Sequence, residues 1–218
     1  MATNTGQKSK ILPAAVSLIS RVDQFEESDL VQIACIYQRE MGQGFLSSLG
    51  DEVALAIFET ALQSPDGFLI AARDNQSNQI CGFVCGAVST GAFYKAFLLQ
   101  KWLVSLRYVV PKLLTPARLW RAMETLFYPT RRTATSFPSA ELLVIAVQHH
   151  YRGRGTAQQL FSMLQKRFAD KGIDQFKVAV GATLPRACRF YEKLNPISVN
   201  PIEVHQGQPS LIYVYETK

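Results

Sequence analysis

No stretch of about 18 consecutive strongly apolar residues occurs in this chain, and the uncharged run Asn75 to Tyr94 is interrupted by Asn, Gln, Ser, Thr and Gly. A membrane span is therefore not expected. Cysteine and histidine are scarce, four and three among 218 residues. Cys35, Cys81, Cys85 and Cys188 lack C-x-x-C spacing, so no metal site is expected and the thiols read as reduced and mostly buried, as in a cytoplasmic protein. Lys8 and Lys10 ahead of Ile11 to Ile19 have the outline of a signal peptide, but Pro13 interrupts it and no small-residue cleavage site precedes Arg21. A first strand near Val16 is the better reading. With 10 prolines, 13 glycines and 48% apolar residues, the composition is that of a folded chain and not of a disordered one.

The length suits one domain, residues 1–218, with an N-terminal extension over 1–15. Its formal charge of +6 invites an anionic partner without choosing among nucleic acid, acidic lipid and a phosphate-rich cofactor. Much of that charge is concentrated. Between 91 and 135, Lys95, Lys101, Arg107, Lys112, Arg118, Arg121, Arg131 and Arg132 are opposed only by Glu124. Pro111 and Pro116 divide this segment into helical pieces near Phe93 to Val110 and Ala117 to Phe127. It reads as a basic amphipathic insertion packed on the domain, and it admits a membrane-surface contact. No nucleic-acid-binding motif accompanies the charge, so no nucleic-acid partner is expected.

Around the insertion, strands and helices alternate. Val16 to Ile19 is followed by acidic and capping residues Glu26 to Asp29, then by a helical run Leu30 to Met41. Asp51 is placed to cap a helix Glu52 to Leu62, and Pro65-Asp66-Gly67 makes a turn. Phe68 to Ala72 and Ile80 to Val88 read as an antiparallel hairpin. The last third is the most regular: strand Glu141 to Val147, helix Thr156 to Lys171, strand Gln175 to Val180, helix Pro185 to Leu194, and two strands near Ile197 to Val204 and Leu211 to Tyr215. The class is α/β, or α+β if the sheet is mostly antiparallel.

One turn carries chemistry. The strand ending at Val147 runs through Gln148-His-His-Tyr-Arg-Gly-Arg-Gly-Thr-Ala157 into a helix with apolar residues Leu160, Phe161, Leu164 and Phe168. A helix N-terminus offers unpaired N–H groups and partial positive charge, which suits phosphate. Gly153 and Gly155 remove side chains that would hold a ligand away, Thr156 and Ala157 stay small, and Arg152 and Arg154 add charge. A P-loop would need G-x-x-x-x-G-K-[ST], and a dinucleotide fingerprint would need a third glycine where Gln158 stands. A plain strand-to-helix turn with surface arginines is the simpler alternative.

Arg152-Gly-Arg-Gly155-Thr-Ala157 resembles the [QR]-x-x-G-x-[GA] pyrophosphate loop of the GCN5-related N-acetyltransferase (GNAT) superfamily. Further on, Ala187-Cys-Arg-Phe-Tyr-Glu-Lys-Leu194 is similar to that family's A-x-x-F-Y-x-K-x-G-F segment. The likeness is close from Glu141 to Leu194 and loose from Val16. Leu184 departs from a frequent Asn, Asn195-Pro196 departs from Gly-Phe, and the insertion is longer than in a minimal member.

The resemblance implies a mixed, mostly antiparallel sheet flanked by helices, with the insertion between the third and fourth strands. It implies acetyl-CoA as co-substrate and transfer of its acetyl group to a primary amine, on a small molecule or a peptide, by direct attack in a ternary complex. The fourth strand would be bulged at Ile145, Ala146 and Val147 and splay there from the fifth, so that the pantetheine lies in the gap with the Val147 N–H on the thioester oxygen, while Arg152 to Ala157 hold the pyrophosphate. Tyr191 matches a tyrosine near the CoA sulfur, and its hydroxyl, with an ordinary pKa of ~10, is the candidate acid for the departing thiolate. Glu141 matches a carboxylate that can act as base through a water. His149 and His150 are taken as polar loop residues. The acceptor pocket would lie among the first two helices, their connecting loop and the insertion; a homodimer is compatible with all of this. A non-catalytic acyl-CoA-binding or sensing domain is the alternative.

Overall fold

The computed structural model describes residues 16–20, 24–41, 50–109, 137–205 and 208–217. Seven strands form one sheet: β1 (Val16–Ile19), β2 (Gly67–Asp74), β3 (Ile80–Ala87), β4 (Glu141–Val147), β5 (Gln175–Gly181), β6 (Ser198–His205) and β7 (Gln208–Glu216). Their spatial order is β1-β2-β3-β4-β5-β7-β6. Every neighbouring pair is antiparallel except β4 and β5, which run parallel. The expected mixed, mostly antiparallel sheet is thus observed. β2 and β3 are apolar along almost their whole length because helices cover both faces.

On one face lie α1 (Glu27–Glu40), α2 (Asp51–Gln63) and α3 (Thr90–Gln100). Ile33, Tyr37, Val53, Ile57, Phe58 and Phe93 from these helices pack on Leu69, Ala71, Phe83 and Cys85. The other face is covered by α4 (Thr156–Asp170) and α5 (Pro185–Glu192). There Leu160, Phe161, Leu164 and Phe168 meet Phe68, Ile70, Phe176 and Tyr215. Burying each such side chain is worth roughly 1.5–3 kcal/mol. The alternation within β2, with Phe68, Ile70 and Ala72 on one face and Leu69 and Ala71 on the other, divides the core between the two layers.

Local chemistry sets the helix ends. In α1 the Glu26 side chain accepts from the N3 backbone, and the Asp29 carboxylate accepts from the Glu26 N–H at 2.9 Å, a reciprocal capping box. Asp29 also pairs with Arg73 of β2 at 2.5 Å, tying the start of α1 to the sheet. Asp51 does not cap α2 as expected: Gly50, at φ 106°, takes that place and Asp51 is the first helical residue. Its carboxylate still favours the positive end of the helix.

The first helical piece of the insertion is shorter than its apolar pattern suggests. α3 ends at Gln100, followed by a short turn Trp102–Val104 and a wide helical turn Ser105–Val109. The piece expected at Ala117 to Phe127 lies outside the described residues. Cys81, Cys85 and Cys188 are buried free thiols and Cys35 is exposed, in keeping with a mostly buried set. Among the described residues no helix is long and apolar enough to cross a membrane, and no group of three or more His, Cys, Asp or Glu is placed to hold a metal ion.

Candidate active site

The sheet is open at its centre. β4 and β5 pair only at Glu141↔Lys177 and Leu142↔Val178, with one further bond from the Lys177 N–H to the Ala140 carbonyl at 3.0 Å. Beyond Leu142, β4 stays paired with β3 through Val147, and β5 stays paired with β7 through Gly181. The two strands therefore diverge towards their C-terminal ends, a crevice of the kind in which open parallel sheets bind ligands.

The polar edge of that gap follows from strand alternation. The Gln148 N–H donates to the Cys81 carbonyl of β3 at 2.9 Å, so Ala146 also directs its N–H towards β3, while Val147 and Ile145 direct theirs away from it, into the gap. A bulge lies just upstream. Cys85 pairs with Val144 and Gly86 with Leu142, which leaves Leu143 as the extra residue. Leu143 and Val144 consequently both pack on the α1–α3 face, whereas Leu142 and Ile145 pack on the α4–α5 face.

Past Val147, the short helical turn His149–Tyr151 leads into the glycine turn. Gly153 has φ 75° and Gly155 φ 86°, and a Cβ built on either meets no atom within 4 Å. Both glycines satisfy a backbone requirement and face open space, so ligand atoms can approach the main chain there. Gly155 is the N-cap of α4 and provides no side-chain acceptor, leaving the N–H groups of the first turn to an incoming anion.

The turn is braced from two sides. The Tyr151 hydroxyl donates to Asp74 at the end of β2 at 2.5 Å, and this bond is the main reason the Asp74 carboxyl is held below its ordinary pKa. The Arg154 guanidinium lies over the Tyr151 ring, 5.6 Å from its centroid. Arg152 donates through Nε to the Val147 carbonyl at 3.1 Å and forms an ion pair with Glu40 at the end of α1. Its guanidinium is thus engaged in joining α1, β4 and the turn, a structural use that the sequence pattern did not reveal. His149 and His150 are exposed and stand edge to face, with ring centroids 5.7 Å apart.

Tyr191 lies on α5, 6% exposed, in the same buried cluster as Val147, Val178 and Val180. Its ring is 5.8 Å from Tyr213 and 5.2 Å from Phe190, and its carbonyl accepts the Tyr215 hydroxyl at 2.7 Å. Burial pushes its pKa well up. A weaker acid than ordinary tyrosine gives its proton less readily to a thiolate whose own pKa is ~8.5. Each unit of mismatch costs about 1.4 kcal/mol. The hydroxyl remains a hydrogen-bond donor. The segment after α5 accounts for one departure from the family pattern: Asn195 has φ 56°, so where the family has glycine this chain uses the side chain that best tolerates that conformation.

Glu141 stands at the closed end of the gap, on the α1–α3 side. Its carboxylate accepts from the Thr90 hydroxyl at 2.8 Å and lies 3.6 Å from the Lys177 ammonium. Lys177 is only 4% exposed and also donates to the Pro138 carbonyl at 2.6 Å. The pair holds β4 and β5 together where their parallel ladder begins. Thr90 and Lys177 were missed in the sequence, where a strand lysine reads as a solvated residue. Tyr94 of α3 belongs to this corner too: its pKa is raised by burial first and by the Glu141 charge second.

Three solved structures illustrate the fold. A structure named SsHAT is 21% identical with a TM-score of 0.66, over 93% of this chain and 99% of that one. The ribosomal-protein-S18-alanine N-acetyltransferase from Escherichia coli is 15% identical with a TM-score of 0.54, over 94% and 95% of the two chains. Arabidopsis thaliana NAA60 in complex with acetyl-CoA is 15% identical with a TM-score of 0.54, over 93% and 98%. No curated protein matches the sequence. The family model "Acetyltransferase (GNAT) family" matches residues 30–195, a span that contains the diverging strands, the glycine turn and Tyr191, and the chain belongs to that family of acetyl-CoA-dependent acetyltransferases.

Proposed function

We propose that this protein transfers the acetyl group of acetyl-CoA to the nitrogen of a primary amine, on a small molecule or a peptide, by direct attack in a ternary complex. The observation that carries this reading is the unpaired edge of β4 beyond Leu142, running into a glycine turn that faces open space at the start of α4. Pantetheine amides can bond the gap-facing groups of Ile145 and Val147, the pyrophosphate takes the N–H groups around Gly153 to Ala157, and the thioester oxygen takes the Val147 N–H. The neutral amine attacks the carbonyl carbon and the C–S bond breaks. The amine's surplus proton passes through a water to Glu141. The departing thiolate is stabilised by a hydrogen bond from Tyr191 and takes up a solvent proton afterwards. Lys177 and Thr90 are positioning residues that fix the Glu141 carboxylate.

Calorimetry and thermal unfolding test the reading together. Acetyl-CoA at ~100 times its dissociation constant should stabilise the fold by about 2.7 kcal/mol. Gly155→Val should abolish that binding at a strain cost of about 1–2 kcal/mol, since its Cβ meets open space but its backbone has positive φ. Absence of any response of the wild-type protein to millimolar acetyl-CoA overturns the proposal, and binding without turnover of any amine would leave an acyl-CoA-binding domain.

A further inference from the structure

An apolar cleft opens on the α1–α3 face beside the bulge of β4. It is lined by Tyr37 and Met41 of the α1 end, Ala54, Ile57 and Phe58 of α2, Cys85 of β3, Tyr94 of α3, and Leu143 and Val144 of β4, and it encloses about 450 Å³ counted with its open mouth. Most of that is the open mouth; the enclosed part is about 60 Å³, room for one small ring or branched alkyl group. The bulge creates this wall: because Leu143 is an extra residue, it and Val144 point to the same side. Glu141, the proposed proton acceptor, stands on the same side next to Tyr94.

Among the described lining residues there is no carboxylate. Three acids of this face are engaged elsewhere, Glu59 with Lys101 at 2.6 Å, Glu141 with Thr90 and Lys177, and Glu40 with Arg152, while Asp51 and Glu52 stand exposed in the first turn of α2, off the cleft wall. The distal charges of a polycation seated in the cleft would find no acid on its described wall. An aromatic or branched apolar group finds a dry wall and two tyrosine rings.

We infer that the acceptor is an apolar monoamine, a single primary amine borne on an aromatic or branched hydrophobic group that seats in this cleft. The inference rests on the proposed acetyl transfer and names its substrate class. Two sources share the chemistry, a free arylalkylamine and the N-terminus of a polypeptide that begins with a hydrophobic residue.

The test uses the full chain with β-phenethylamine, tryptamine, a peptide beginning Met-Leu and a peptide beginning Phe, against spermidine and an aminoglycoside. Direct binding is read by protein-observed NMR with and without saturating CoA, and turnover by thiol release. The apolar monoamines of at least one source should exceed spermidine by about 10- to 100-fold in affinity and in kcat/KM, the range expected for burying one large apolar group. Whether the free amines or the peptides respond identifies the source. Met41→Glu, at a position 40% exposed on the cleft, places a carboxylate at the mouth without disturbing the core; it should raise KM for the apolar amines and narrow their lead over spermidine, with acetyl-CoA binding unchanged. Preference for spermidine or the aminoglycoside, binding of neither class, or an unaltered selectivity in Met41→Glu overturns the inference. Failure of acetyl-CoA to bind, with the amine preference intact in the NMR titration, overturns only the transfer reading.

Discussion

The oxygen of Tyr191 can be removed with little effect on what surrounds it, since the ring makes the contacts with Tyr213 and Phe190 and the backbone carbonyl, not the hydroxyl, receives Tyr215. Tyr191→Phe should therefore leave acetyl-CoA affinity and thermal stability near wild type. If the hydroxyl bonds the thiolate only as the C–S bond breaks, kcat and kcat/KM should fall together by about 10- to 100-fold, the worth of one hydrogen bond to a charged group. Steady-state rates measured beside calorimetric affinity decide it; a wild-type kcat would assign the residue to packing. Tyr191 was legible in the sequence because a local motif surrounds it. Glu141's partners were not, because Thr90 is 51 positions away and meets it only once α3 folds against β4. The raised pKa of Tyr191 was equally hidden, since it depends on burial beneath residues from β5 and β7 and not on its neighbours in the chain.

At the level of elements, β4 is shaped by the strand beside it. A Cβ added to Gly82 of β3 would come within 2.9 Å of the Ala146 carbonyl oxygen and 3.0 Å of the Val147 side chain. A backbone oxygen cannot rotate away, so Gly82→Ala must push the end of β4 that borders the gap. The expected result is a loss of about 1–3 kcal/mol in stability and, because the Val147 N–H is displaced, acetyl-CoA affinity lower by about tenfold. Urea unfolding and calorimetry check both, with Gly91→Ala as control: a Cβ there meets nothing within 4 Å, and the first turn of α3 accepts alanine. If Gly82→Ala weakens stability and binding no more than the control does, the close approach of β3 has no bearing on the site. Strands and helices were readable in outline from period and punctuation, and β4 to the residue. The bulge was implied only by the family resemblance, at Ile145 to Val147, and its actual place at Leu143 was not readable, because after Glu141 the strand is apolar throughout and a period of two cannot locate one extra residue in such a run. The gap itself is a pairing that stops after Leu142, which leaves no mark in either strand's composition.

Across the whole molecule, both layers of the core are aromatic and hold tyrosines that fold in their neutral form. Burial raises the hydroxyls of Tyr94 on the α1–α3 side and of Tyr191, Tyr213 and Tyr215 on the α4–α5 side, that of Tyr213 to about 12. The unfolded chain releases these protons near pH ~10, whereas the folded chain retains them, so the stability they contribute is complete below pH ~10 and is lost as pH rises above it. Each tyrosine kept neutral adds a slope of about 1.4 kcal/mol per pH unit in that range. Tm should therefore fall steeply above pH 10. Tyrosinate absorbance from the buried rings should not precede unfolding but arrive with it, at the pH where helical circular dichroism is lost. Because α4 and α5 share the sheet with α1 to α3, one opening event exposes both sets, and the absorbance change should be a single cooperative step and not two. Gradual titration of all the tyrosines near pH 10 with circular dichroism intact would mean that the cores admit water and hydroxide while folded. The cleft beside Tyr94 would then be no dry wall for an apolar amine, so this titration also bears on how the acceptor is recognised.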